Sequence, residues 1–195
     1  MAYIFVGLGN PGEEYENTRH NTGRSLLAVF GKSVGAEWKE DKKLNAFVAK
    51  VKIRKIPVTL ILPNTFMNKS GNCLKQIIGS QKAAEKLMVI YDDLDLPFGT
   101  SKISFNKSSG GHKGLESVIK GIKTEKFARI RVGISPTTGT GKIRKPQGEE
   151  AVTKIILGKY KSEEILQLKK LSKKIEKALE TFVSDGLEKA MTNFN

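Results

Sequence analysis

Thr18-Arg-His-Asn21 sets one of only two histidines in this 195-residue chain between a cation and an amide, immediately ahead of a helical pattern. An imidazole takes up and releases protons near neutrality, so His20 is a candidate general base; the other reading is a helix-start residue that hydrogen-bonds the backbone. Two asparagines stand in related settings. Asn10 follows Gly7-Leu-Gly9 at the end of an apolar run, and Asn68 lies in Thr65-Phe-Met-Asn-Lys-Ser-Gly71, between a strand pattern and a helical one. A side-chain amide donates and accepts without adding charge, which suits a carbonyl, an ester or a ribose hydroxyl; Asn68 equally suits a helix cap. Asp92-Asp-Leu-Asp-Leu-Pro97 adds three carboxylates after another apolar run. The alternating leucines, and the lack of other clustered ligands, favour turn chemistry plus one functional carboxylate over a metal site.

Gly7-Leu-Gly-Asn-Pro-Gly12 has the G-x-G-x-x-G spacing of a dinucleotide-binding turn. The supporting parts are missing. In that fingerprint the turn opens directly into a helix whose N–H groups face the pyrophosphate, and an acid follows about twenty residues later. Here Pro11 removes a donor, the helical pattern waits until Thr22, and Phe30-Gly-Lys32 occupies the place of the acid. The glycines are better read as letting the backbone bend so that Asn10 projects from a strand end.

The elements that must carry these groups alternate. Tyr3-Ile-Phe-Val reads as a buried strand, and Thr22 to Val34 as a helix with Leu26, Leu27, Val29 and Phe30 on its apolar face. Asn45 to Lys52 and Val58 to Leu62 read as a strand pair joined by a basic turn, followed by a helix capped by Ser70 and ending at Gly79. Leu87 to Tyr91 and Lys102 to Phe105 read as strands, Gly114 to Ile122 as a helix. Ala128 to Ile134 reads as a strand whose alternation gives one apolar face and one basic face bearing Arg129 and Arg131. Residues 135–148, rich in glycine, proline and basic side chains, read as a mobile basic insertion. Ile165, Leu168, Leu171, Ile175, Leu179 and Phe182 then mark a long closing helix with lysines on its other faces. The expected fold is α/β in a single domain over 1–195: a mixed, mostly parallel twisted sheet with helices on both faces and the early strand pair at an edge.

Composition narrows the partner. Thirty-four Lys and Arg against twenty Asp and Glu give a formal charge of +14, which points to a polyanion, nucleic acid more naturally than a membrane. The sequence has neither an apolar run long enough to span a bilayer nor a secretory leader pattern, so a cytoplasmic protein is expected. Cys73 is the only cysteine, which leaves no internal disulfide and no thiolate cluster; no metal and no cofactor are expected.

In order along the chain, Gly7-Leu-Gly-Asn-Pro-Gly-Glu-Glu-Tyr15, Thr18-Arg-His-Asn21, Phe66-Met-Asn-Lys-Ser-Gly71, Asp92-Asp-Leu-Asp-Leu-Pro97, Gly110-Gly-His112 and Arg129-Ile-Arg-Val-Gly-Ile134 resemble the blocks of the bacterial-type peptidyl-tRNA hydrolases. Each block is modest alone; their ordered combination over residues 3 to 134 is specific. The resemblance implies a monomeric α/β enzyme, without cofactor, that hydrolyses the ester between a peptide and the terminal ribose of tRNA. It maps the base onto His20 and its orienting carboxylate onto Asp92. It assigns Asn10, Tyr15, Asn21, Phe66, Met67, Asn68 and Lys113 to substrate, and Lys102 and Arg131 to a tRNA phosphate. With no G-x-S-x-G elbow present, direct attack by water is the simpler chemistry.

Lys113 departs from the pattern, since the family carries asparagine after the histidine of Gly-Gly-His. A lysine there would lower the pKa of His20 if its charge were close, or turn outward to a phosphate, or donate to a developing oxyanion. The departure keeps a noncatalytic RNA-binding homologue as the alternative function. Ser104 likewise stands where the family often has a basic residue, with Lys107 as a possible substitute.

Overall fold

The computed structural model describes residues 2–195. Seven strands form one sheet: β1 (Tyr3–Gly7), β2 (Lys39–Asp41), β3 (Ala46–Ile53), β4 (Ile56–Pro63), β5 (Leu87–Pro97), β6 (Ser101–Phe105) and β7 (Ala128–Ser135), in the order β2-β3-β4-β1-β5-β7-β6. The four central strands are parallel, with β1 between β4 and β5 and β5 beside β7. The β2–β3, β3–β4 and β6–β7 pairs are antiparallel, so β3 and β6 run against the central strands while β2, at its edge, runs with them. The helices are α1 (Thr22–Ser33), α2 (Gln81–Ala84), α3 (Lys113–Ile122), α4 (Glu149–Ile156), α5 (Ser162–Ser184) and α6 (Leu187–Phe194).

Alternation along the central strands feeds two cores. Phe5, Met88 and Ile90 meet Leu27 and Phe30 of α1 and Ile175, Leu179 and Phe182 of α5 on one face. Ile4, Val6 and Val89 meet Leu74, Leu115, Val118 and Phe127 on the other. A sheet covered on both faces is the expected layer arrangement, and the strand pair of the first half lies at its β2 edge as expected.

Several local expectations give way to the structure. The segment after β4 is not an α-helix capped by Ser70: two 3-10 turns, Met67–Asn72 and Leu74–Gln76, fill it, and Ser70 sits inside the first with its hydroxyl donating to the Met67 carbonyl. Gly71 lies so close to the α3 backbone that a β-carbon there would overlap the Ser117 carbonyl, so the segment is shaped by close packing rather than by helical propensity. The acid run is not a turn either, since β5 continues through Asp92 and Asp93 to Pro97. The basic face expected of β7 is only half present: Arg131 is partly exposed, but Arg129 is fully buried, stacked 4.5 Å over Phe127, and donates to the carbonyls of Ser108 and Glu125. Its alternation counted charges correctly, but packing of the 106–112 loop over that end of the sheet encloses the arginine. β2, α2, α4 and α6, all short, were not anticipated from periodicity.

Residues 136–148 contain neither helix nor strand; a single antiparallel bridge, Thr137 to Ile143, folds the segment on itself, and Lys145 pairs with Asp95 at 2.6 Å.

Candidate active site

The carboxyl ends of parallel strands are where an open α/β sheet gathers its binding groups, because the strand-to-helix loops converge there. β1 delivers Asn10 and, through a further loop, His20; β4 delivers Phe66 to Asn68; β5 delivers Asp92; and the loop after β6 delivers His112. His20 lies in a 3-10 turn, Arg19–Asn21, that runs straight into α1. Gly23 allows this turn to reach β5: a β-carbon at that position would overlap the Ile90 carbonyl oxygen. Only hydrogen lets the first turn of α1 sit that close to the strand bearing Asp92.

The consequence is a buried proton cluster. His20 Nδ1 lies 3.0 and 3.1 Å from the two carboxylate oxygens of Asp92, and His112 Nε2 lies 3.1 Å from Oδ1 of the same group. The two imidazoles are 5.1 Å apart, and Tyr91 packs edge-on against His112 at 4.9 Å. Hydrogen bonding fixes the tautomers. His112 caps α3, its Nδ1 accepting from the Leu115 N–H, so in the neutral ring the proton sits on Nε2 and is donated to Asp92. His20 likewise donates from Nδ1 to Asp92, which leaves its Nε2 lone pair to accept a proton. Burial opposes the imidazolium of His20, but the charge and hydrogen bond of Asp92 outweigh it and raise the pKa above its ordinary value. Asp92 is fully buried, which by itself favours the acid; the two imidazoles nevertheless hold its carboxyl below the usual carboxylate range.

Among the described residues, one ligand atom each from His20, Asp92 and His112 lie within 4.8 Å of one another. A divalent metal would need the His112 Nε2 lone pair, whereas the cap bond to Leu115 puts a proton there. The donor set is arranged for sharing protons rather than for coordination.

Around this cluster the sequence-derived residues separate into several roles. Asn21 turns inward: its amide oxygen accepts from the Asn10 N–H at 2.8 Å and its nitrogen donates to the Asn10 carbonyl at 2.9 Å. Asn10 in turn accepts the Met67 N–H at 2.8 Å through Oδ1, so its NH2 group remains the part available to a substrate. Met67 is buried in the core by its side chain. Asn68 is exposed in the following turn, and Tyr15 meets Phe66 edge-on at 6.3 Å, with Phe66 56% exposed. A cleft of about 390 Å³ opens beside Asn10 and Asn21, lined also by Glu13, Glu16, Arg24 and Leu62.

Lys113 extends away from the cluster: its side chain is 71% exposed and its ammonium lies 3.5 Å from Glu116. The outward orientation is therefore the one adopted, in keeping with a His20 pKa that moves up rather than down. Lys102 and Arg131 are cross-strand partners on β6 and β7, and Arg131 Nε is bound to Asp93 at 2.7 Å. Ser104 is buried opposite Arg129 and Lys107 is exposed. His112 is the member of this cluster that local pattern does not single out: it is the second of two histidines, in Gly110-Gly-His112, and nothing local in sequence ties it to Asp92.

An open α/β sheet with a buried carboxylate orienting an imidazole at its strand ends is the build of a general-base enzyme. The family model described as peptidyl-tRNA hydrolase matches residues 4–195. The chain is 40% identical to the peptidyl-tRNA hydrolase of Herpetosiphon aurantiacus, with 99% of this chain and 90% of that protein covered. It is 37% identical to the one from Aquifex aeolicus, covering 98% and 95%. The crystal structure of peptidyl-tRNA hydrolase from Acinetobacter baumannii superposes with a TM-score of 0.87 at 29% identity, covering all of this chain and 94% of that one. The chain belongs to the peptidyl-tRNA hydrolase family.

Proposed function

We propose that this protein hydrolyses the ester between a peptide and the 3′-terminal ribose of peptidyl-tRNA, with His20 as general base and Asp92 as the carboxylate that orients it. The observation carrying the reading is the His20 Nδ1 to Asp92 hydrogen bond, which leaves Nε2 free to act. Nε2 takes a proton from water as the oxygen attacks the ester carbonyl; the tetrahedral intermediate collapses, the ribose oxygen departs, and the imidazolium returns the proton to it. Asp92 stabilises the transient imidazolium and fixes its tautomer. His112 shares the carboxylate and holds Asp92 in place.

Asn10, with its oxygen committed to Met67, offers N–H donors to the peptide or ester carbonyl, and exposed Asn68 adds a second amide. The exposed Phe66, braced by Tyr15, gives a face on which a terminal base can stack. Lys102 and Arg131 form a cation pair for a phosphate, which the loop lysines and those of α5 extend. In this reading the protein is a cytoplasmic monomer of one domain, with the basic 135–148 segment as a mobile addition to the RNA face. The described residues include no helix long and apolar enough to cross a membrane.

Release of an N-blocked amino acid from its tRNA tests the proposal. His20→Ala is expected to abolish release by a factor of about 10²–10⁴ while tRNA binding stays intact, the range a positioned base supplies. An unmodified protein that binds the tRNA without cleaving it would instead be a noncatalytic RNA-binding homologue.

A further inference from the structure

The turn that carries His20 makes a second set of contacts, which come from far along the chain, in the segment joining α4 to α5. Residues 17–19 and 158–160 run side by side as a short antiparallel strap: Arg19 N–H donates to the Gly158 carbonyl, Tyr160 N–H donates to the Asn17 carbonyl, both at 3.0 Å, and Thr18 bridges to Lys159. The Tyr160 side chain then reaches Thr22, on the other side of His20 in sequence. Its phenolic oxygen lies 2.6 Å from Thr22 Oγ1, which lies 2.6 Å from the Arg19 carbonyl. A threonine hydroxyl carries one proton, and that proton goes to the carbonyl, so Tyr160 must donate to Thr22. Burial pushes the phenol pKa up, which keeps it a neutral donor.

We propose that Tyr160 is a positioning residue for the base, fixing Thr22 and the Arg19 carbonyl on either side of His20 so that the imidazole stays on Asp92. The same tyrosine is itself held. The Arg19 guanidinium lies 4.7 Å over the Tyr160 ring and 5.6 Å from Phe98, and Phe98 packs 5.6 Å from Tyr160. Glu164 closes the arrangement, binding Arg19 Nη2 at 2.7 Å through one oxygen and the Lys161 N–H at 2.8 Å through the other. Arg19 is thus engaged with the first turn of α5 and with the turn after β5, and is not offered to the substrate. The two flanks of His20 in sequence, 19 and 22, are joined through one hydroxyl chain, so the turn between them has little freedom to rotate the imidazole. The titratable groups that face His20 directly are Asp92 and His112; Asp92 also lies near enough to act on the Tyr160 phenol, which is neutral, so removing its hydroxyl changes no charge around His20.

The inference rests on His20 being the base, and its test has a part that does not. Tyr160→Phe removes one hydroxyl and keeps the ring under Arg19. A reacting group displaced by about an ångström can cost about 10²-fold in rate; partial loosening is expected to lower kcat about ten-fold with KM within about two-fold. Titration of the imidazole signals by NMR, with His20→Ala identifying the one from His20, reads the position without any turnover. If Tyr160 holds His20 on Asp92, its pKa falls in Tyr160→Phe, because part of the carboxylate contact is lost. Thr22→Ser, which keeps the hydroxyl chain, is expected to match the unmodified protein in kcat and titration, and Thr22→Val to resemble Tyr160→Phe. A Tyr160→Phe or Thr22→Val protein with lower Tm but unchanged kcat and unchanged His20 titration would overturn the proposal, as would a loss confined to KM. Should His20→Ala retain hydrolysis, the base assignment fails, and the NMR titration still decides whether Tyr160 holds the ring.

Discussion

Asp92, Asp93 and Asp95 lie within four residues on one strand, yet they behave as two regions. Asp92 faces inward, fully buried, and its negative charge is shared by two imidazoles. Asp93 and Asp95 meet cations of the basic surface, Arg131 at 2.7 Å and Lys145 at 2.6 Å. The pleat sends neighbours to opposite faces, so a one-residue step changes the dielectric around a carboxylate and with it the role. Inside, a carboxylate can set the tautomer and basicity of a histidine. Outside, it trims the charge presented to a polyanion.

The contrast predicts effects of very different size. Asp92→Asn keeps an acceptor for the Nδ1 proton but removes the charge that favours the imidazolium. Steady-state hydrolysis should fall by about 10²–10⁴-fold, and a fall of less than ten-fold would make the buried carboxylate dispensable to the base. The same variant fixes a sign in pH. The unmodified protein should lose kcat/KM as pH drops through a His20 pKa above 6.5, because only the neutral ring accepts a proton, and in Asp92→Asn that limb should move to lower pH. For stability the sign is reversed at His20: its raised pKa contributes stability below the unfolded pKa and loses it as pH rises through the folded one, whereas the depressed Asp92 contributes above the unfolded carboxylate pKa and loses stability on acidification.

On the outer side, Asp93→Asn retains an oxygen for Arg131 Nε while freeing a net positive charge. The pair is largely enclosed, with 12% of the Asp93 and 25% of the Arg131 side chain exposed, so the gain comes from the charge released on Arg131: tRNA affinity measured by fluorescence anisotropy should tighten by about two- to five-fold, with a steeper loss as salt increases. Weaker binding would mean that Asp93 chiefly orients the arginine rather than neutralising it. The smallest effect is expected at Lys113, whose ammonium is solvated beside Glu116. Lys113→Asn should alter kcat by no more than about two-fold, in line with an exposed ion pair; a ten-fold increase would show that the lysine burdens the inner cluster after all.

Much of this arrangement was open to reading from local pattern. Apolar runs ending in glycine, in Pro63-Asn64 or in acids mark β1, β4 and the start of β5, the 3.6-residue spacing marks α1 and α5, and the ordered motifs bring His20, Asn10, Asn68 and Asp92 together as one set. The errors fall where local signals compete with packing. Met67 to Gln76 has an apolar face but turns as 3-10 because Gly71 must meet the α3 backbone. Arg129 alternates like a surface residue yet is enclosed by the 106–112 loop. Asn21 has the same side chain as Asn10 and Asn68, and only its two hydrogen bonds to the Asn10 backbone reveal that it braces a neighbour.

By itself the sequence determined the chemistry on offer: an imidazole, a carboxylate, amides and an excess of positive charge, carried on alternating strands and helices. Those are properties of residue type and spacing, which survive any rearrangement of the chain. Tertiary structure alone decided the pairings that make them work. His20 and Asp92 are 72 residues apart, His112 joins them from a loop beyond β6, and Tyr160 reaches Thr22 across 138 residues. Hydrogen bonds and pKa values depend on ångström distances and on exclusion of water, and neither is encoded in any one stretch of chain.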